Sequence, residues 1–276
     1  SCKVYTDFTE GRNRMTTLYE GAFAKLNLTL DVLGKREDGY HDLRSVMQTV
    51  SLWDDVEIDV GTGKPWCLKC AAPGVPCDER NLAWKAAEVF FEATGKDPDG
   101  LEIRITKRIP VEAGLGGGSA DAAAVLRALN RHYGEPLSIA ALAELGGFVG
   151  SDVPFCICGG TSLSQNTGGV LSPLEPLKEC YIVLAKPECG VSTAEAYSAA
   201  DNSHIYHPDC MRMLDTCEKG DFEGICKYAG NVFEQVIEVA DRVEYKRIMR
   251  DNGASLCQMS GSGPTVFALF EEKEIY

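Results

Sequence analysis

The chain has 276 residues, of which 45% are hydrophobic and 25% charged, a globular composition with room for one large domain or two modest ones. Its formal net charge of −14 excludes a nucleic-acid or anionic-membrane binder, which needs a basic face. Small anionic substrates stay open, because backbone N–H groups, a few lysines and a metal ion can hold phosphates locally.

No run approaches the roughly 20 apolar residues that span a bilayer. Ser1 to Glu20 is polar and mixed in charge, without the apolar core of a secretory signal, so a cytoplasmic location is expected. Ser1 to Arg14 are set aside from fold reasoning. The 12 cysteines include one C-x-x-C, Cys67 and Cys70, with Cys77 downstream. No second ligand pair stands at zinc spacing, so they read as buried, reduced thiols and no metal ligand is assigned.

In chain order, Gly21 to Val32 alternates. Ala22, Ala24, Leu26, Leu28, Leu30 and Val32 point one way and Phe23, Lys25, Asn27, Thr29 and Asp31 the other, a strand with one core face. Asp38-Gly39 is a turn signal before a second extended run, Leu43 to Leu52. Val56 to Val60 forms another strand and Trp66 to Ala71 a short one. Asn81 to Thr94 is a helix capped by Asn81 and stopped at Gly95. Leu101 to Thr106 alternates as a strand running into Lys107. Gly114-Leu-Gly-Gly-Gly-Ser119 then opens onto an alanine-rich helix, Ala120 to Asn130, and a further helix covers Ser138 to Phe148. Gly159-Gly160 and Asn166 to Gly169 are loop-like, and the domain boundary is placed there, at residue 165.

Beyond it, Tyr181 to Lys186 reads as a strand and Ser192 to Ala200 as a helix. Helices are expected at Phe222 to Tyr228, Val232 to Val239 and Tyr245 to Asp251. Ser255 to Met259 and Thr265 to Phe270 are strands around the loop Ser260-Gly-Ser-Gly-Pro264. Strands and helices mix without strict βαβ order, which gives an α+β fold.

Five segments carry chemistry. The glycine loop leaves its backbone N–H groups unobstructed and feeds into a helix N-terminus, the form of a phosphate cradle. It lacks the Lys of a Walker A loop, has Ser119 where the dinucleotide fingerprint needs Gly, and stands in a chain without protein-kinase motifs. Asp152, in Gly-Ser-Asp-Val-Pro-Phe, is either a base for an attacking hydroxyl or a helix N-cap before Val153-Pro154. Lys25 and Asn27 could reach one ligand together, although taken alone they read first as a solvent-exposed face. Tyr40-His41 offers an aromatic ring and an adjacent hydrogen-bonding group, suited to a nucleobase or to a structural role. The Ser260–Pro264 loop is a tight hairpin or a further wall near the phosphates. Met47 reads as core.

Taken in order, these segments resemble the GHMP kinase superfamily. The resemblance rests on Pro110-x-x-x-Gly-Leu-Gly-Gly-Gly-Ser119, on Ser260-Gly-Ser-Gly-Pro264, and on Ala24-Lys-Leu-Asn-Leu28, Asp38-Gly-Tyr-His41, Gly150-Ser-Asp-Val-Pro154 and Gly190-Val-Ser-Thr193. The last four are most similar to the branch that phosphorylates a cytidine-diphosphate-linked methylerythritol. The similarity runs from about Ala22 to Phe270 and implies a two-domain fold with its active site in the cleft between an ATP-binding N-terminal domain, 15–165, and a C-terminal domain, 166–276. The chain ends at Tyr276, soon after Phe270, where the superfamily continues into another helix.

The implied reaction is ATP-dependent phosphorylation of the 2-hydroxyl of the methylerythritol moiety, in non-mevalonate isoprenoid precursor synthesis. The resemblance implies ATP on Pro110, Gly114, Leu115, Gly116, Gly117, Gly118 and Ser119, with Asn81, Leu82 and Lys107 near the adenosine and Mg²⁺ carried on the nucleotide. It makes Asp152 the catalytic base and Lys25 the cation beside the reacting hydroxyl. Asn27 and Thr193 would line the substrate pocket. His41 would hydrogen-bond cytosine, between Tyr40 on one face and Tyr197 on the other. The expected partner is that small cytidylated molecule, with no nucleic acid or membrane, and the chain is expected to act as a monomer or a weak homodimer. Two other readings remain at this stage: another acceptor (homoserine, mevalonate or a sugar) on the same fold, and a non-catalytic nucleotide-binding module.

Overall fold

A computed structural model describes residues 15–271; the N-terminal stretch set aside above and the last residues of the expected second domain lie outside the described residues. Among the described residues the chain forms two compact units, neither contiguous in sequence: 15–24, 50–111 and 116–158 in the first, 25–49, 112–115 and 159–271 in the second. Two long strands, β1 (Thr16–Lys35) and β2 (His41–Val60), contribute to both. Helices and strands are mixed as expected for α+β.

In the first unit β4 (Leu101–Thr106) pairs antiparallel with β2, Val56 opposite Ile105 and Ile58 opposite Ile103, and β3 (Cys67–Cys70) adds in parallel on its other side. The alternating apolar residues of these strands are buried, and the unit also holds α1 (Leu82–Thr94), α2 (Gly117–His132), α3 (Ile139–Gly147) and α4 (Val153–Cys158). Ala86, Ala87, Phe90, Ala123, Leu126 and Phe155 are each at most 1% exposed. The small side chains let α1 and α2 pack closely.

In the second unit β2 pairs with β5 (Thr161–Asn166), β5 with β6 (Val170–Pro173), and β1 in parallel with the two-residue β8 (Gly230–Asn231). A separate sheet has the order β7 (Tyr181–Ala185), β10 (Val266–Phe270), β9 (Leu256–Met259). Around them lie α5 (Thr193–Asp201), α6 (Cys210–Glu218), α7 (Phe222–Tyr228) and α8 (Arg242–Asp251). One core cluster joins Leu30 and Val32 to Ala196, Phe233 and Met259; another joins Met249 to Cys257, Val266 and Phe270.

Several sequence expectations are corrected. The two extended runs after Asp38-Gly39 are one strand of 20 residues, β2. Val232 to Val239 is not a helix but a 3₁₀ turn, Val232–Gln235. Its β-branched Val232, Val236, Ile237 and Val239 are poor helix formers and pack into the first core cluster instead. β5 and β6 are strands where only a loop was expected between them. Thr161, Ser162 and Ser164 are buried, so β5 carries no apolar alternation to reveal it. α6 was also unforeseen; Asp209 caps it by accepting from Arg212 N at 3.0 Å. Every cysteine among the described residues is a free thiol.

β1 has a core face, and then a second buried face. Ala22, Ala24, Leu26 and Leu28 are 0% exposed, as alternation requires, but Lys25 and Asn27 are each only 4% exposed, Thr29 0% and Asp31 2%. The solvent-exposed reading of Lys25 and Asn27 is therefore wrong. Buried polar groups are tolerated only when paired, and these are: Thr29 Oγ1 accepts from Val46 N at 2.9 Å, and Asp31 Oδ1 lies 2.6 Å from His207 Nδ1.

Candidate active site

The helix after the glycine stretch starts earlier than its alanines suggest. Gly116, with φ +70°, is the N-cap of α2, and the ladder begins with Ala120 N donating to Gly116 O at 2.8 Å. The N–H groups of Gly117, Gly118 and Ser119 thus stand ahead of the ladder, and no side chain caps this end. Such a terminus presents donors and the positive end of the helix dipole to an anion.

In the first unit two of the expected nucleotide residues, Lys107 and Leu82, lie beside this terminus. A Cβ on Gly117 would lie 3.1 Å from Lys107 Nζ, and one on Gly118 would lie 3.6 Å from Leu82 Cδ1. One on Gly150 would meet Leu82 Cδ1 at 3.9 Å and Ser119 Oγ at 4.0 Å. Asn81 is committed to the fold: its Oδ1 accepts from Ala83 N at 2.9 Å and its Nδ2 donates to Pro76 O at 2.8 Å. Pro110 is exposed in the preceding loop.

Lys107 would be repelled by a helix N-terminus if it stood alone. It is held by two carboxylates, with Nζ 2.5 Å from Asp54 Oδ2 and 2.7 Å from Asp121 Oδ2. Asp54 Oδ1 accepts in addition from the main-chain N–H of Arg108 and Ile109. Burial alone would lower Lys107, but the two carboxylates outweigh it and its pKa is raised. Burial pushes Asp121 up to about 7, against the opposing pull of Lys107. Asp121 Oδ1 has no hydrogen-bond partner. Neither Asp54 nor Asp121 was picked out from the sequence, since each looks like an ordinary acidic residue until the fold closes them on one ammonium.

Asp152 is half-buried at the start of α4, where its carbonyl accepts from Cys156 N at 3.0 Å, so it occupies the N-cap position. Pro154 is the second helical residue, not the first. Arg127 fixes the other end of α4, donating from Nη1 to Cys156 O at 2.5 Å while its Nε meets Glu20 Oε1 at 3.0 Å.

In the second unit Lys25 Nζ donates to Asn27 Oδ1 at 2.8 Å, and Asn27 Nδ2 donates to Ser45 Oγ at 2.8 Å. Lys25 N donates to Leu115 O at 3.0 Å, and the Leu115 side chain is core. Gly114 lies against the loop between β9 and β10. Its φ is +73°, and a Cβ there would stand 2.2 Å from Ser260 O, so only glycine fits. Ser260 Oγ donates to Gly114 O at 2.9 Å, and Gly263 N donates back to Ser260 O at 3.0 Å. The loop is thus both a tight turn and a wall against Gly114. Met47 is core, at 2% exposure.

His41, at the start of β2, lies flat on Tyr197 of α5, with ring centroids 4.5 Å apart and planes 18° from parallel. That separation leaves no room for a base between the two rings. His41 Nε2 is 2.8 Å from Asp201 Oδ1. A carboxylate only accepts, so Nε2 is the donor in this contact. Tyr40 is 64% exposed beside it. Thr193 Oγ1 lies 3.0 Å from Ser262 Oγ at the first turn of α5. Ser45, Asp201 and Ser262 were missed from the sequence, because serines and an aspartate in ordinary contexts give no local signal.

Known proteins share this sequence over most of its length. Residues 81–160 match the model of the GHMP kinases N terminal domain, and residues 213–275 that of the GHMP kinases C terminal. A 4-diphosphocytidyl-2-C-methyl-D-erythritol kinase of Geobacillus thermodenitrificans is 46% identical over 252 residues, 90% of this chain and 86% of that protein. The namesake kinase of Exiguobacterium sibiricum is 46% identical over 259 residues, 93% of this chain and 90% of its own. The chain belongs to the 4-diphosphocytidyl-2-C-methyl-D-erythritol kinase family.

This family lies within the GHMP kinases, and membership makes the chain a small-molecule kinase with ATP as phosphate donor. A crystal structure of a 4-(cytidine 5'-diphospho)-2C-methyl-D-erythritol kinase superposes with a TM-score of 0.74 at 32% identity, covering 91% of this chain and 89% of that one. A homoserine kinase from Cytophaga hutchinsonii gives 0.75 at 20% identity, over 98% of this chain and 89% of its own. That second likeness shows the fold alone; sequence identity separates the 4-diphosphocytidyl-2-C-methyl-D-erythritol kinase family from it.

Proposed function

We propose that the chain transfers the γ-phosphate of ATP to the 2-hydroxyl of the methylerythritol moiety of 4-diphosphocytidyl-2-C-methyl-D-erythritol, in non-mevalonate isoprenoid precursor synthesis. The observation that carries the reading is 46% identity across 90% of the chain to a kinase named for that substrate. Phosphoryl transfer asks little covalent work of a protein; it asks for alignment and for stabilisation of charge.

In this reading the uncapped start of α2 takes the ATP phosphates, with Lys107 and Leu82 beside it. Asp152 accepts the proton of the attacking hydroxyl, and Lys25 stabilises the charge that develops on it. Asn27 and Thr193 line the acceptor pocket. His41, backed by Tyr197, receives cytosine, and the exposed ring of Tyr40 covers the base.

Mg²⁺ belongs to the proposal as well. Among the described residues no group of three or more His, Cys, Asp or Glu is arranged to hold a metal. In this reading the ion arrives on the nucleotide, and the residues that would hold the nucleotide are Gly117, Gly118 and Ser119. When bound, the ion supplies charge neutralisation on the phosphates.

Residues 15–165 are assigned to the ATP-binding domain and 166–276 to the second. The chain is taken to work in the cytoplasm as a monomer or weak homodimer; its net charge of −14 supports only the reading that it has no nucleic-acid partner. No helix among the described residues is long and apolar enough to cross a membrane.

The test is ADP release over a panel of acceptors: the cytidylated methylerythritol, homoserine and mevalonate. Turnover is expected with the first alone. Turnover with homoserine or mevalonate, and none with the cytidylated compound, would overturn the assignment.

A further inference from the structure

Four buried groups form a hydrogen-bond chain that can run in only one direction. Ser45 Oγ is 2.6 Å from Thr29 O. A carbonyl oxygen only accepts, so the single hydroxyl proton of Ser45 is spent there. The remaining lone pairs of Ser45 then require a donor from Asn27, at 2.8 Å, and that donor is Nδ2. This turns Asn27 Oδ1 toward Lys25, whose ammonium only donates and stands 2.8 Å away. A flipped amide would set NH₂ against NH₃⁺ and oxygen against oxygen, losing both bonds. Lys25 and Asn27 are 4% exposed, Ser45 3% and Thr29 0%, so water cannot readily replace a lost partner. The pair of strands is fixed at the same place, where Val46 N donates to Thr29 Oγ1 at 2.9 Å.

We propose that Ser45 is a positioning residue for the phosphoryl transfer: its hydroxyl locks the amide of Asn27, and the locked amide aims the ammonium of Lys25. This rests on the reading of Lys25 as the cation beside the reacting hydroxyl. Ser45 itself touches neither ATP nor acceptor in this account. It acts through two other side chains, so its loss should slow the reaction without weakening the nucleotide.

The experiment compares Ser45→Ala with Ser45→Thr in the full chain. Thr keeps the hydroxyl; Ala removes it. Steady-state kinetics with ATP and the cytidylated methylerythritol give kcat and each KM, and ¹³Cε labelling of lysine reports the Lys25 environment by NMR without any turnover. Ser45→Ala should lower kcat about tenfold, the size of one lost hydrogen bond, with the ATP KM within about twofold. It should also move the Lys25 resonance. Ser45→Thr should restore both. Should the alanine variant not fold, Ser45→Cys, a weak donor of similar size, takes its place with the same expected direction. An unchanged kcat and an unmoved Lys25 resonance in Ser45→Ala would overturn the proposal, as would a threonine variant as slow as the alanine one. Failure of the broader functional reading looks different: the wild type would not turn over the acceptor, while the NMR comparison would still report whether Ser45 controls Lys25.

Discussion

Lys107 Nζ and Asp121 Oδ2 lie 2.7 Å apart beneath the first turn of α2, and the other oxygen of that carboxylate has no hydrogen-bond partner. Asp121 therefore has one good interaction and a large desolvation penalty, and its pKa rises to about 7 from an ordinary 3.8. The folded state binds its proton more tightly than the unfolded state does. Stability on this account falls as pH rises between the two values and is level above the upper one. Asp121→Asn removes the group. The stability of the variant relative to wild type should climb from pH 4 to pH 7 and then flatten, as read from urea midpoints at several pH values. A difference that does not vary with pH would contradict the burial argument.

Asp54 is the more costly partner to lose. It receives Lys107 and two main-chain N–H groups, and it is 0% exposed. Asp54→Asn leaves a buried ammonium with its weaker partner. A loss of about 3–5 kcal/mol is expected, the range for breaking a buried pair on one side. Urea denaturation measures it, and a loss below about 1 kcal/mol would mean that solvent reaches the cluster.

Gly114 and Gly118 are glycines for different reasons. Gly114→Ala puts a Cβ 2.2 Å from Ser260 O at φ +73°, and should cost roughly 1–3 kcal/mol of stability or more. Gly118→Ala meets only Leu82 Cδ1, at 3.6 Å, an ordinary contact inside a helix. It should leave the melting temperature unchanged or slightly higher and raise the ATP KM, because the methyl group crowds the approach to the helix N-terminus. Calorimetry and ATP titrations separate the two. Equal effects of both substitutions on both measurements would remove the distinction.

Asp152→Asn keeps the shape of the N-cap and removes the proposed proton acceptor. kcat should fall by roughly 10²–10⁴, the usual contribution of a general base, while the fold and the ATP KM hold. Activity near wild type would dismiss Asp152 as the base.

On the proposed reading, Asp201 acts on the acceptor side through its contact with His41. Its hydrogen bond with His41 holds its carboxyl below the usual carboxylate range. A depressed acid contributes stability above its unfolded pKa and loses it as pH falls through the folded value. The contact should therefore be intact at neutral pH and fail only under acid conditions. Asp201→Asn removes the preference for a proton on Nε2, and the KM for the cytidylated acceptor should rise severalfold with the ATP KM unchanged. An unchanged acceptor KM would detach this aspartate from base recognition.

Local signals were legible wherever the cause is local. Asn81 and Gly95 bound α1 as read, because a cap bond to Ala83 N and a left-handed C-cap at φ +64° depend on the residues themselves. The turn at Asp38-Gly39 is likewise local, with Gly39 at φ +87° and Asp38 Oδ1 accepting from Tyr40 N at 3.1 Å. β5 was not legible, since buried serines and a threonine carry the polar mark of a loop until Gln48 and Gly168 satisfy Thr161 and Ser164. Lys25 and Asn27 were misjudged as exposed for the same reason: alternation separates two faces of a strand but does not say whether the second one is covered.

The amino-acid order alone pointed to the family and to the limits of α1, whose caps are its own flanking residues, because these follow from neighbours along the chain. The fold alone settled which partners the buried polar residues found. Ser45 beneath Asn27, Asp54 and Asp121 on Lys107, and Asp201 behind His41 are matches between segments 14 to 160 residues apart. A carboxylate or hydroxyl looks the same in sequence whether water or an ammonium awaits it, and only packing removes the water.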